Sequence, residues 1–288
     1  MATEHHVENP AEFVFEKLAW AARDLGRVIV PHPERHAGQA VPVVRRITIA
    51  DLREALRQGV QDMGAFRDDV LFIGIIYPLA GLLLARVAFS YQLLPMLFPL
   101  ASGFAILGPV AATGLYEMSR RREQGEHVTW ATAFEAFKSP AIGSIVGMGL
   151  ILLALFGLWL AAGYEIGLAT LGPAAPPTVR AFTHDVFWSN ASGALIAGGV
   201  GVGFLFAAAA FAISVVSVPL LLDRDVGLWV AIGTSIKAVM ANFGTMVVWG
   251  LIIALSLALG SLPALVGLVF VVPVLGHASW HLYKKLVA

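Results

Sequence analysis

The sequence predicts an all-α fold: a polytopic membrane helix bundle of about six transmembrane helices, with two short amphipathic cytoplasmic helices in a repeated hairpin. Three observations carry this prediction. Val70 to Ala85, Val87 to Tyr116, Ser139 to Tyr164, Val186 to Leu222 and Ala238 to Gly276 contain no Asp, Glu, Lys or Arg. A bilayer core takes about 20 apolar residues per helix, so these runs are long enough to span it. Of 288 residues, 58% are hydrophobic and 13% charged, which is the composition of a membrane protein rather than of a globular enzyme. Lys and Arg also gather in alternate inter-span segments, the asymmetry that orients membrane helices.

Residues 1–46 read as a cytoplasmic N-terminal extension. Asn9-Pro10-Ala11-Glu12 fits a helix start, with Asn at N-cap, Pro at N1 and Glu at N3. This helix is expected to run to Leu25, followed by a linker at 27–45 holding Pro31, Pro33 and Pro42. Residues 47–67 form an amphipathic juxtamembrane helix capped by Thr48. Leu52, Leu56, Val60 and Met63 fall on one side, which is expected to rest on the membrane or on the cytoplasmic loops. MATEHHVENP has no basic segment leading into an apolar one, so no cleavable signal is expected.

Residues 68–288 form the six-span domain. The spans are placed at Val70–Ser90, Leu93–Met118, Ala141–Gly163, Gly193–Leu222, Phe243–Leu259 and Ala264–Leu282. Gly260-Ser261-Leu262-Pro263 is a turn signal that divides the last apolar run. Arg45, Arg46, Arg53, Arg57, Arg67, Arg120, Arg121, Arg122, Lys138, Arg224, Lys237, Lys284 and Lys285 then share one side. Both termini are expected in the cytoplasm of a bacterial inner membrane. Gly172 to Asn190 is the only sizeable external loop, with Phe187 and Trp188 as interfacial anchors.

Trp130 to Lys138 (WATAFEAFK) and Trp229 to Lys237 (WVAIGTSIK) both place Lys eight residues after Trp. Each follows a charged span exit and precedes another span. They read as interfacial elbows, with Trp130, Phe134 and Lys138 in one and Trp229, Ile236 and Lys237 in the other. Trp would sit at headgroup depth and Lys at the anionic surface. Convergent design of two cytoplasmic loops is the alternative to duplication.

Gly103-Phe104, Leu107-Gly108-Pro109, Gly114-Leu115-Tyr116-Glu117 and Ser119-Arg120-Arg121 form a distinctive run, with Asp51-Leu52 and Gly59-x-x-Asp62 upstream. Together they resemble a family of proteobacterial six-span integral membrane proteins of unknown function, sometimes labelled automatically as cytochrome c oxidase subunit I. The resemblance runs from about residue 47 to the end and leaves 1–45 outside. It implies a membrane bundle and no catalytic residue. A haem–copper centre needs several intramembrane histidines, and only His277 and His281 lie in or beside a span.

Chemistry-bearing candidates are few. His277 and His281 share a helical face and are weak metal or haem ligands; the simpler reading places them at the interface. Glu117, after Tyr116, reads either as a proton or cation site or as an ion pair with Arg120 or Arg121, and the pair is favoured. Arg86 and Glu165 could pair across spans one and three, or snorkel to the headgroups. Gly199-x-Gly201-x-Gly203 lies inside a span, so it packs helices rather than phosphates. Pro78, Pro109 and Pro273 imply kinks.

With no Cys, disulfides and thiolate chemistry are excluded within the chain. The formal net charge of zero gives no basic field for nucleic acid. The expectation is a non-enzymatic accessory, assembly or scaffold component without a cofactor. Its expected partners are membrane lipids and another membrane protein or complex. The alternatives are a small-solute or lipid transporter, and a haem- or metal-binding redox accessory protein.

Overall fold

A computed structural model describes residues 42–65, 91–174, 176–263 and 265–288, with only the backbone of 91–93 and 130. The expected helix at 9–25, most of the 27–45 linker, and the first span at 70–90 with Pro78 and Arg86 lie outside the described residues. Among the described residues the chain is helical, apart from connecting turns and one isolated antiparallel bridge between Val44 and Val287.

The helices are α1 (Ile49–Ala65), α2 (Leu97–Ala111), α3 (Thr113–Glu123), α4 (Ile142–Leu171), α5 (Val179–Trp188) and α6 (Ser192–Ser214). They continue as α7 (Ser217–Asp223), α8 (Leu228–Ala241), α9 (Phe243–Ser261) and α10 (Leu268–Leu286). Short 3₁₀ helices cover Tyr91–Met96 and Trp130–Lys138.

Leu94–Glu123, Ile142–Leu171, Ser192–Asp223 and Phe243–Ser261 are long and apolar enough to cross a membrane. They coincide with expected spans two to five. The sixth expected span is helix α10, which starts at Leu268 rather than Ala264. Its second half carries His277, His281, Lys284 and Lys285, so α10 is less apolar than the other four, and that half is largely buried.

The bundle is tied together through its apolar middle by Trp159 of α4, which is 2% exposed. Its indole N–H donates to the Pro99 carbonyl at 2.9 Å and to Ser102 Oγ at 3.2 Å. The ring meets Phe98 edge-on and Phe206 at a centroid distance of 5.7 Å. Gly203 leaves room for the indole, which stands 3.1 Å from where a Cβ would be, and Gly103 leaves room for Phe156 with the indole beside it. The small residues within the spans thus receive a large ring, and the polar edge of that ring is satisfied inside the hydrocarbon layer.

The third apolar stretch breaks at Val215–Val216, between α6 and α7. The break frees the Val216 amide, which Ser235 Oγ of α8 accepts at 3.2 Å. α7 is buried from Ser217 to Leu222 and brings Asp223 to the charged end of the bundle.

α1 departs from its expected placement. Its buried stripe is Leu52, Ala55, Gly59 and Asp62; of the face read from Leu52, Leu56, Val60 and Met63, Leu52 is buried and Leu56 packs at its edge, while Val60 is exposed, so the packed face is rotated from the expected one. The larger apolar side chains suggested one face; the close approach of another helix selects the small ones. That helix is α10, not the lipid surface. A Cβ on Gly59 would lie 2.6 Å from the Val274 carbonyl and 2.7 Å from Ala278 Cβ. Lys285 stands 3.8 Å from Asp51, so α1 runs back along α10. Thr48 and Asp51 cap the start reciprocally: Asp51 Oδ2 accepts from the Thr48 amide at 2.8 Å, and the Asp51 amide donates to Thr48 Oγ1. The extended segment before α1 holds the end of α10, with the Arg45 amide donating to the Leu286 carbonyl at 2.8 Å. Asn242, at the start of α9, accepts from the Ile47 amide and donates to the Arg45 carbonyl.

Candidate functional site

The polar chemistry of the described residues gathers at one end of the bundle, on two faces of α3. Ser119, Arg122 and Glu123 turn toward α1 and α10; Glu117, Arg120 and Arg121 turn toward the elbow at 130–138 and α7. Helical spacing divides them this way, because residues three and four apart share a face.

On the first face, Asp62 is 4% exposed and lies among four partners. Its Oδ2 takes a hydrogen bond from Ser119 Oγ and lies 2.9 Å from His281 Nε2, while Oδ1 receives Arg122. Ser119 Oγ also lies 2.8 Å from His277 Nδ1. The other ring nitrogen of His281 reaches Glu123 at 3.2 Å. Burial works to raise the Asp62 carboxyl; hydrogen bonds from His281 and Ser119 and the nearby imidazoles outweigh it and hold the carboxyl below its ordinary value. This one cluster connects α1, α3 and α10.

It also corrects the sequence reading of the histidines. His277 and His281 are 0% and 7% exposed, so they are buried partners rather than interfacial side chains. Ser, His and Asp come together in this cluster. Their order is not that of a nucleophile relay: the hydroxyl stands between the carboxylate and His277, so the imidazole does not separate serine from acid. Ser119 is also fully buried. Among the described residues no group of three or more His, Cys, Asp or Glu has the arrangement to hold a metal.

On the second face, Glu117 is 1% exposed and forms the expected ion pairs. Arg120 meets it in a fork with both bonds at 2.7 Å, and Arg121 Nε adds a third at 2.7 Å. Arg121 continues to Glu126 at 2.7 Å and Glu135 at 3.1 Å. Tyr116, one residue earlier, is buried with its hydroxyl toward Ser279 of α10. Between this network, the elbow and α7 lies a cleft of about 390 Å³, lined also by Lys138, Asp225, Leu221, Leu222 and Pro140.

The two elbows differ in detail. Trp130–Lys138 is a 3₁₀ helix and its counterpart lies within the α-helix Leu228–Ala241. In the first elbow Thr132, Ala133 and Ala136 are buried, while Phe134 and Phe137 are exposed. Gly114 of α3 receives Ala133, with only 2.9 Å left for a Cβ. In the second elbow Ala231, Thr234, Ser235 and Ala238 are buried, and Trp229 and Ile236 face outward with Lys237. In both, small residues pack inward while bulky apolar residues and Lys face out.

Glu165 is exposed on α4, and its proposed partner Arg86 lies outside the described residues. Asp62 is the functional candidate that sequence reasoning missed. Its signal was present: it continues the stripe Leu52, Ala55, Gly59 at helical spacing, and an acid on a small-residue stripe faces a neighbouring helix.

Residues 97–223 match the model of a family described as predicted integral membrane protein (DUF2189), whose function is unknown. The match contains the Gly103-to-Arg121 run and both faces of α3. No curated protein and no solved structure matches the chain.

Proposed function

We propose that this integral membrane protein is a non-catalytic accessory or scaffold component of a bacterial inner membrane, with both termini cytoplasmic, and that its charged end presents a fixed surface to another membrane protein. One observation carries the reading. The ionisable groups of α3 engage one another and their neighbours, and so join α1, α3, the first elbow and α10 into one rigid end. Ion pairs that link several elements specify an arrangement, and a surface held in one arrangement is what a docking partner requires.

The same end gathers Arg120, Arg121, Arg122, Arg224, Lys284 and Lys285, consistent with a cytoplasmic location. The transporter reading calls for a polar path at mid-membrane. Around Trp159 the described interior holds Met148, Leu152, Ile106 and Phe206 instead.

Purification of the tagged full chain in mild detergent tests the proposal. It should recover a membrane-protein partner in fixed stoichiometry, and Arg121→Ala, which loosens the charged end, should reduce its recovery. A monodisperse chain that never co-purifies with a partner contradicts it.

A further inference from the structure

The cleft beside Glu117 is lined by charges of both signs together with the apolar Leu221, Leu222 and Pro140. Its lining mixes the cations Arg120, Arg121 and Lys138 with the acids Glu135, Asp223 and Asp225. Most of these charges are already matched. Arg121 is held by Glu117, Glu126 and Glu135, and Asp223 accepts from the Tyr283 hydroxyl at 2.7 Å and faces Lys284.

Two are not matched in this way. Lys138 is 80% exposed and only 3.9 Å from Glu135, and Asp225 makes no hydrogen bond or ion pair among the described residues. The cleft thus offers one open cation and one open anion across a volume of about 390 Å³. This falls within the range of small-ligand sites, roughly 300–1,000 Å³.

Position narrows the ligand. The walls are the end of the apolar stretch Leu94–Glu123, the approach to Ile142–Leu171 and the end of Ser192–Asp223. The cleft therefore sits at headgroup depth. Directly beside it Phe137 is 69% exposed, and Val146, Leu150 and Leu153 expose an apolar track down α4.

We propose that this cleft binds the headgroup of a zwitterionic phospholipid bearing a primary ammonium, with its phosphate at Lys138, its ammonium at Asp225, and its acyl chains along α4. A purely anionic lipid would leave Asp225 unanswered and facing its phosphate. A quaternary ammonium lipid has no N–H to donate to the carboxylate. The assignment stands independently of any protein partner.

Native mass spectrometry of the full chain, loaded with an equimolar mixture of phosphatidylethanolamine, phosphatidylglycerol and phosphatidylcholine, tests it. Phosphatidylethanolamine should be retained over each of the others by about fivefold, the discrimination of one partly exposed charge-assisted hydrogen bond. Asp225→Asn should remove that preference while phospholipid is still retained. Lys138→Ala should lower retention of every phospholipid. Both variants change side chains that line the cleft, and unchanged melting temperatures will confirm that the fold persists. Equal retention of the three lipids by the parent chain, or an undiminished preference in Asp225→Asn, overturns the proposal. Displacement of the lipid by an equal concentration of soluble phosphoethanolamine overturns the lipid assignment in favour of a free ligand.

Discussion

Glu117 and Asp62 occupy similar positions at the charged end, but they respond differently to change. Glu117 receives three hydrogen bonds from two guanidinium groups and is 1% exposed. Glu117→Gln keeps the shape and removes the charge. The arginines are about a quarter exposed, and water can partly replace what they lose. The expected cost is about 2 kcal/mol, below the 3–5 of a pair with both members buried, and thermal unfolding in detergent will register it.

Asp62 is set apart by pH. Its carboxyl is held below its unfolded value, so its contribution is present above roughly pH 4 and is lost as pH falls through the folded value. Asp62→Asn should lower the melting temperature at neutral pH and flatten its decline in acid. A variant with the parent's full acid decline would show that another group sets it. At this scale the Glu117 pairing was legible, because its partners lie three and four residues away. The Asp62 pairing was not: His281 is 219 positions distant, and no local rule brings them together.

Among the elements, α1 shows how tertiary contact overrides a local pattern. Its charged and apolar residues alternate well enough to suit a membrane surface, yet α10 claims its smaller face. The decisive residue is Gly59, where the obstructing atoms include the backbone of Val274 and Ala278 and cannot swing aside. Gly59→Ala gains up to about 1 kcal/mol of helix propensity, but the overpacking it forces costs about 1–3 kcal/mol. The second effect wins. The α1 amides should exchange with solvent faster in the variant, while those of α4 hold their protection. Uniform exchange in both helices would show that α1 is not separately docked.

The long apolar helices were legible from the absence of charge alone, and their ends agree with expectation to within a few residues, except at the far end of α4. There Ile142–Leu171 continues eight residues past the expected stop at Gly163, until Gly172 adopts a φ of 79° that ends the helix. Glu165 sits on that extension without breaking it. The elbows were legible as places where Trp and Lys recur, but not as helix types. The two nine-residue segments share only their terminal Trp and Lys, and one packs against Gly114 while the other packs against α7.

Over the whole molecule, one physical asymmetry stands out. The long helices are apolar along their length, most of the charge lies at one end, and the segment before α1, the end of α3, α7 and the end of α10 all meet at that end. A chain built this way should sit in a bilayer with the cluster of Asp62, the cleft of Glu117 and the Val44–Val287 bridge on one side. The loop at 172–178 and α5 should lie on the other. Because the chain has no Cys, single cysteines can report this directly.

His127→Cys lies in the exposed connection after α3, and Ala174→Cys in the exposed loop before α5. An impermeant thiol reagent applied to right-side-out and inverted inner-membrane vesicles should label residue 174 only in the former and residue 127 only in the latter. Labelling of both positions from the same side, or the reverse pattern, contradicts the account.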